Sequence, residues 1–415
     1  MNNFKIVAKN TFFLTLSEFF LKIIGVLWIV FLAHSLSVSE YGEYSFVNSF
    51  IAIFSFLPDL GIGIIVIREI ARNKEKADLY LGNSLILNTS FAFIALVAIF
   101  ITSFFLGQSQ QTKTLIFIAS ITLFISTIRS VAIFFFDGME KMHFSALLNS
   151  LNTVLLLAFA VFFGFVLNWG LKGVFLGMLF GTILSLFITW SIVLQKFIMP
   201  KVVINKKIMK HLFWEGLPLG IASFSFMVYT RIDSVILGNL LGNTSVGIYN
   251  SATPFAFSLI QLLNVPFMVA VFPALSRIEK EDKQRFKKVL KRSIFFIIAW
   301  SLPVSILISL FSPIFLPFVF GKKYEAAIPV LKILIFFVPF ASLSALLYKV
   351  LIILNKQMLY LYISIIGALI NVAFNFYLIP KYLILGAAYA SVGTQLFLFL
   401  IYSMVVFKLV KGIKK

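Results

Sequence analysis

The chain has no cysteine, only three histidines and only 15 acidic residues among its 415. Without cysteine there is no thiol nucleophile, no thiolate metal site and no disulfide. His34, His143 and His211 lie far apart along the chain, in no metal-ligand spacing. Charged residues make up 12% of the sequence, against roughly 25% in soluble domains. No G-x₄-G-K-[ST] phosphate loop, no H-E-x-x-H helix and no paired-carboxylate loop occurs. The longest polar connections, near 195–212 and 273–293, are too short to hold a soluble catalytic domain. These absences argue against an enzyme, and nothing in the chain suggests a nucleic-acid partner, a metal or a resident cofactor.

What remains is apolar surface. Sixty-one per cent of the residues are hydrophobic and the mean hydropathy is +1.04. No soluble fold has enough polar residues to cover that much oil. A helix needs about 20 apolar residues to cross a hydrocarbon core of roughly 30 Å. The long continuous apolar runs place spans near 11–34, 44–67, 80–106, 113–136, 144–167, 171–195, 212–238, 248–272, 293–318, 328–352, 358–379 and 386–407. The expectation is an all-α polytopic membrane protein of about 12 transmembrane helices. The first apolar run is too long for a removable signal and lacks a small-residue cleavage site, so it reads as the first span.

The net charge of +20 is mostly a topology signal. If the N-terminus is cytoplasmic, inner segments hold 26 of the 35 basic residues and outer segments five. Positive residues favour the inner face, so both termini are expected in the cytoplasm of a multi-pass cell-membrane protein. The basic stretch 277–292 also fits a contact with anionic lipid headgroups.

Two halves of the sequence resemble each other. LAHSLSVSEYGEYSFVNSF (32–50) aligns with LGNLLGNTSVGIYNSATPF (237–255) at an offset of 205. That offset pairs Gly42 with Gly247, Tyr44 with Tyr249, Asp59 with Asn264 and Arg72 with Arg277. Near the ends of the halves, Gly173, Gly177 and Gly181 parallel Gly386, Ala390 and Thr394. Small residues every fourth position flatten one helix face and allow close helix approach. The expected organisation is two pseudo-symmetric six-helix lobes, 1–200 and 201–415. Two similar lobes of even span number share one orientation and can rock, which suits a secondary transporter.

Four basic residues fall within spans: Lys22, Arg129, Arg231 and Lys332. An ionisable group there costs at least ~2.5–3.5 kcal/mol, and it usually faces a protein interior or aqueous cavity. Glu18 and Lys22 are four apart and can pair on one helix face. Lys22 and Arg231 are the main candidates for an anion, with Arg129 and Arg68 behind them; Arg129 can also snorkel and Arg68 can simply mark the interface. Lys332 lies near an outer end and reads as snorkelling. Asp59, between Pro58 and Gly61, can titrate or cap a bent helix. Arg231 and Asp233 are two apart and point to different faces.

Spread over most of the chain are NTFFLTLSEFFLKIIG (10–25), SLSVSEYGEYSF (35–46), DLGIGIIVIREIAR (59–72), YTRIDSVILGNLLGNTSVGIYNSA (229–252) and NVAFNFYLIPKYLILGAAYASVGTQ (371–395). In this order they resemble the polysaccharide-biosynthesis flippases of the O-antigen (Wzx) type. That family sits in a superfamily (MOP) with multidrug/toxin extruders and the lipid II flippase. One departure is Leu383, where such proteins often have glycine. The resemblance implies movement of a polyprenyl-pyrophosphate-linked oligosaccharide from the inner to the outer leaflet. Lys22 and Arg231 would then meet the diphosphate, and Asp59, Glu18 or Asp233 would serve as counter-charge or bind a coupling H⁺ or Na⁺. It also implies membrane lipid and glycan polymerases or glycosyltransferases as partners, with a monomer sufficient. A multidrug cation antiporter is the alternative, although a cationic lining would repel its substrate.

Overall fold

The computed structural model describes residues 2–412, with side chains described from 19 to 411 apart from 265 and 280. Glu18, and with it the pairing to Lys22, lies outside the described side chains. All regular structure among the described residues is helical. The first part of the chain forms α1 (Asn2–Ser35), α2 (Val38–Phe54), α3 (Phe56–Asp59), α4 (Ile62–Arg72), α5 (Ala77–Phe104), α6 (Gln110–Gly138), α7 (Met142–Val161) and α8 (Gly170–Lys196). The second part forms α9 (Lys206–Leu241), α10 (Asn243–Leu259), α11 (Val265–Glu281), α12 (Lys283–Phe320), α13 (Ile328–Leu334), α14 (Phe337–Ile353), α15 (Gln357–Tyr382) and α16 (Ile384–Gly412). Among the described residues, nine stretches and two bent pairs are long and apolar enough to cross a bilayer. The described apolar part of α1, Phe19–Ser35, is shorter, so nine to eleven candidate spans stand among the described residues against about twelve expected.

Large apolar side chains face outward here, and polar side chains are buried alongside the apolar cores. Phe105 and Phe318 are each 83% exposed, while Asn83, Asn371, Asn375 and Thr394 are fully buried. Lipid tails leave no hydrophobic drive between helices, so close packing and polar contacts hold them together. The glycine stripe of α8 shows how. A Cβ on Gly177 would lie 2.2 Å from the Phe159 carbonyl oxygen, and one on Gly173 would lie 2.4 Å from that of Phe163. The α8 backbone therefore rests directly on α7 and the π-helical turn Phe162–Val166 that follows it. Gly386 brings α16 onto α15 in the same way, 2.3 Å from the Leu378 oxygen.

The duplication is visible in the element boundaries. α2 and α10 each contain 17 residues, and both begin and end 205 positions apart. Each is followed by an irregular break: α3 with left-handed Leu60 and Gly61 after α2, and a π-helical turn at Ile260–Asn264 after α10. Asp59 and Asn264, paired by the offset, sit at these two breaks.

The chain separates into two compact units. The first holds residues up to Phe31 together with Val47–Met227, with a core around Ile62, Val66, Phe135 and Phe136. The second holds Leu32–Phe46 and the chain from Val228 onward, with a core around Phe286, Leu290, Leu346 and Leu347. The corner between α1 and α2 thus packs with the second half of the sequence.

The stretch 273–293, expected as a connection, is helical on both sides of Asp282. α11 continues to Glu281, and the Asp282 carboxylate accepts from the Gln284 and Arg285 amides, both at 2.9 Å, to start α12. Hydropathy marks where a helix leaves the bilayer and is blind to its polar continuation. Leu383, which the sequence marks as a departure from the family pattern, has φ 53° and ψ −132°. A side chain is strained there by about 1–3 kcal/mol, and Leu383 is 58% exposed, so little packing opposes its removal. Leu383→Gly should therefore raise stability by about 1 kcal/mol, read as a higher midpoint in thermal unfolding; an unchanged or lowered midpoint counts against the strain.

Candidate functional site

The second unit encloses a carboxylate that sequence spacing alone does not surround with partners. Asp233 of α9 is 3% exposed. Its Oδ2 accepts from the Tyr249 hydroxyl of α10 at 2.8 Å and from the Ser391 hydroxyl of α16. Its Oδ1 accepts from Asn375 Nδ2 of α15 at 2.6 Å. Asn375 Nδ2 also reaches the Asn371 carbonyl at 2.9 Å, and Asn371 Nδ2 donates to Thr394 Oγ1 at 3.3 Å. Asn375 Oδ1 is buried without a hydrogen-bond partner. Four helices thus converge on one carboxylate, and every donor that reaches it is neutral. Among the described residues Asp233 makes no ion pair. A buried carboxylate held by neutral donors, with spare oxygens alongside, is chemically suited to take up a proton or a small cation.

The same helices carry this site to the α1–α2 corner. Ser234, next to Asp233, accepts from Asn250 Nδ2 at 2.8 Å, and the Asn250 carbonyl accepts from the Tyr41 hydroxyl at 3.3 Å. The Tyr41 ring stands edge-on to Tyr324 at 5.8 Å. One turn back on α10, Gly247 meets the corner itself. A Cβ on Gly42 would lie 1.7 Å from the Asn243 carbonyl oxygen, and one on Gly247 would lie 2.2 Å from the Val38 oxygen. Val38 and Asn243 are themselves 205 apart, so the two copies of the repeated segment clasp each other reciprocally. Only glycine on both sides permits this approach.

The other predicted residues fall in several places. Arg231 is exposed and makes no ion pair among the described residues, on the opposite side of α9 from buried Asp233. Lys22 is also exposed. Arg129 is 8% exposed inside the first unit; its Nη2 donates to Asn149 Oδ1 at 3.0 Å, while Nε and Nη1 have no hydrogen-bond partner. Arg68 bridges Glu69 at 2.8 Å and Glu215, and His211 lies 3.5 Å from Glu69 and 3.4 Å from Glu215. Its charge is thus already met by two carboxylates. Asp59 caps α4, its Oδ1 accepting from the Gly63 amide at 2.8 Å. Beside it, Gly61 packs against Gly216 and Gly220 of α9. Sequence reasoning singled out Asp233 but missed Tyr249, Ser391, Asn371 and Asn375 as its shell. The available signal was two asparagines four residues apart in an otherwise apolar helix.

An all-helical membrane protein with a buried carboxylate held by neutral donors invites comparison with proteins that move solutes across membranes. Comparison with known proteins narrows this. The family model described as polysaccharide biosynthesis protein matches residues 7–279, roughly two thirds of the chain. The chain belongs to the polysaccharide biosynthesis protein family. A second model, MatE, matches residues 218–377. The chain is 26% identical over 204 residues to an uncharacterized membrane protein of Methanocaldococcus jannaschii, a match covering 48% of this chain and 40% of that protein. It is 24% identical over 377 residues to a putative O-antigen transporter of Shigella flexneri, covering 86% of this chain and 87% of the relative. In fold it is similar to the lipid II flippase MurJ in an inward closed conformation, with a TM-score of 0.76 at 18% identity over 95% of this chain and 87% of that one.

Proposed function

We propose that the protein is a lipid-linked oligosaccharide exporter of the cell membrane, driven by a coupling H⁺ or Na⁺ and working by alternating access. Its substrate class is a polyprenyl-pyrophosphate oligosaccharide moved from the inner to the outer leaflet, with both termini cytoplasmic. The observation that carries this reading lies on α9. One face presents Arg231, a cation with no carboxylate to neutralise it, and the other buries Asp233 among neutral donors. An anion contact and an ion-binding carboxylate two residues apart on one helix let occupancy of either alter the position of the other. Lys22 supplies the second diphosphate contact, from the first half of the sequence. Arg68 can exchange Glu215 for phosphate oxygens, since both partners are charge-assisted acceptors. We take Arg129 as an anion contact of last resort and Asp59 as a cap whose carboxylate steadies the α4 start; Glu18 keeps its expected role as counter-charge to Lys22. The halves 1–200 and 201–415 are the units of duplication, and glycan polymerases or glycosyltransferases are the expected cellular partners of a monomeric exporter.

The test is glycan export in cells that depend on this chain. Lys22→Ala and Arg231→Ala should each reduce export, and the double variant should abolish it at wild-type protein levels. Export at the wild-type rate from the double variant would overturn the diphosphate assignment. The MatE match keeps a cation antiporter as the second reading. It predicts drug resistance on overexpression, with no change in surface glycan.

A further inference from the structure

The segment between α8 and α9 behaves as part of a binding surface and not as a slack connector. The Lys201 amide donates to the Asp78 carbonyl at 3.0 Å, and the Asn205 amide donates to Asn83 Oδ1 at 2.9 Å. Lys201 Nζ pairs with the Asp78 carboxylate at 2.5 Å. Gly82 makes the approach possible: a Cβ there would lie 1.9 Å from the Lys201 carbonyl oxygen. The strap is thereby pinned across the first turns of α5. Yet Met199 is 74% exposed, Val202 61%, Val203 62% and Ile204 65%. Four exposed apolar side chains among Lys196, Lys201, Lys206 and Lys207 suit the boundary between headgroups and acyl chains, where apolar groups dip inward and lysines reach outward.

From this strap a groove of about 780 Å³ runs between α5 and α6. Its walls are Leu85, Ile86, Phe93 and Ile94 of α5 with Phe124 and Ile128 of α6, and Val202 of the strap joins the lining. Leu85 to Ile94 spans about 14 Å of helix, close to half of a hydrocarbon core of roughly 30 Å. The arrangement is a basic ledge at headgroup level leading into an apolar trough one leaflet deep. It complements an anionic head joined to a hydrocarbon chain. The strap runs directly into α9, the helix of Arg231 and Asp233, and Phe213 of α9 stacks on Phe91 of α5 at 5.8 Å.

We propose that this α5–α6 groove is the seat of the isoprenoid tail of the lipid carrier, with the exposed Lys196, Lys206 and Lys207 drawing its phosphate to the headgroup level. The proposal rests on the exporter reading and adds to it a tail site, formed within the first unit, whose branched and aromatic walls match a methyl-branched chain. Ser90 lies exposed in the groove and, among the described residues, hydrogen-bonds to the Ile86 carbonyl of its own helix at 2.8 Å. Ser90→Trp therefore fills the trough without touching the core.

The experiment measures retention of undecaprenyl monophosphate by the purified full-length protein, using native mass spectrometry, with dioleoylphosphatidylglycerol as competitor. The wild type should retain the probe against equimolar phosphatidylglycerol, and Ser90→Trp should lower retention about tenfold. Equal retention by Ser90→Trp, or displacement of the probe by phosphatidylglycerol, overturns the tail site; the latter marks a general lipid seat. Thr89→Phe, which fills the same groove, repeats the test if Ser90→Trp does not fold. Export failure is read separately: glycan export by a wild type that does not retain the probe sinks the groove alone. Retention lost only in the filled groove, without export from any variant, supports the groove and counts against the exporter reading.

Discussion

Replacing Asp233 by Asn should leave a folded protein that no longer drives export with an ion gradient. Asparagine keeps the size of the side chain and an acceptor oxygen for Tyr249, Ser391 or Asn375, so the helix contacts persist. What it removes is the one carboxylate of the hub, the group proposed to take up the coupling ion. Gradient-driven export should fall by more than about tenfold, equivalent to about 1.4 kcal/mol of lost coupling. Exchange of substrate in the absence of a gradient should survive. Asp233→Ala behaves differently, because it strands several buried donors at about 1–3 kcal/mol each; it should lose stability as well as transport. Membrane vesicles with an imposed H⁺ or Na⁺ gradient distinguish the cases. Wild-type gradient dependence in Asp233→Asn would remove Asp233 from the coupling path, whatever the residue does for the fold.

The second large effect concerns the glycine clasp. Alanine at Gly42 places a carbon 1.7 Å from the Asn243 oxygen, so the corner must move before the residue fits. Overpacking of this kind costs about 1–3 kcal/mol, and alanine at Gly247 should cost a similar amount because the contact is reciprocal. The informative variant is the double. Once one alanine has opened the corner, the second finds room already made, so the two penalties should sum to less than their separate values, by about 0.5–3 kcal/mol. Unfolding midpoints of the two single variants and the double measure this. The same displacement stretches the Tyr41–Asn250 hydrogen bond, so export should fall along with stability. Strictly additive penalties would mean that the glycines act independently and that the clasp is not one contact.

The helix count and its duplication were legible because both leave a linear record. Apolar runs report bilayer crossings directly, and the offset of 205 survives in Gly42, Gly247, Tyr44 and Tyr249. The extension of α12 down to Lys283 was not legible, since a charged helix outside lipid has no hydropathy signature. The α1–α2 corner shows a deeper limit: its burial partners are remote in sequence, and no local pattern assigns residues 32–46 to the second unit. The site divides along the same line. Charges within spans stand out because the bilayer makes them costly, which is how Asp233 and Arg231 were found. Tyr249, Ser391, Asn371 and Asn375 are neutral and common in membrane helices, and only the convergence of α9, α10, α15 and α16 makes them a shell. Arg68 stands in the sequence as a cation closing a span, free to meet a phosphate or mark the interface; its carboxylate partner Glu215 is contributed by α9, 147 positions away.

The lodging of residues 32–46 in the second unit also sets a schedule for biosynthesis. The corner leaves the ribosome early, yet Gly247 and Asn250 follow about 200 residues later. At a synthesis rate of about 5–20 residues per second, Gly42 and Tyr41 wait roughly 10–40 s before their partners exist. Throughout that interval the close-packing surface of the corner stands open in the membrane. A chaperone or insertase that shields this helical hairpin would act within this window, and slowing translation between residues 50 and 250 should lengthen it and raise the fraction of chains degraded before they mature.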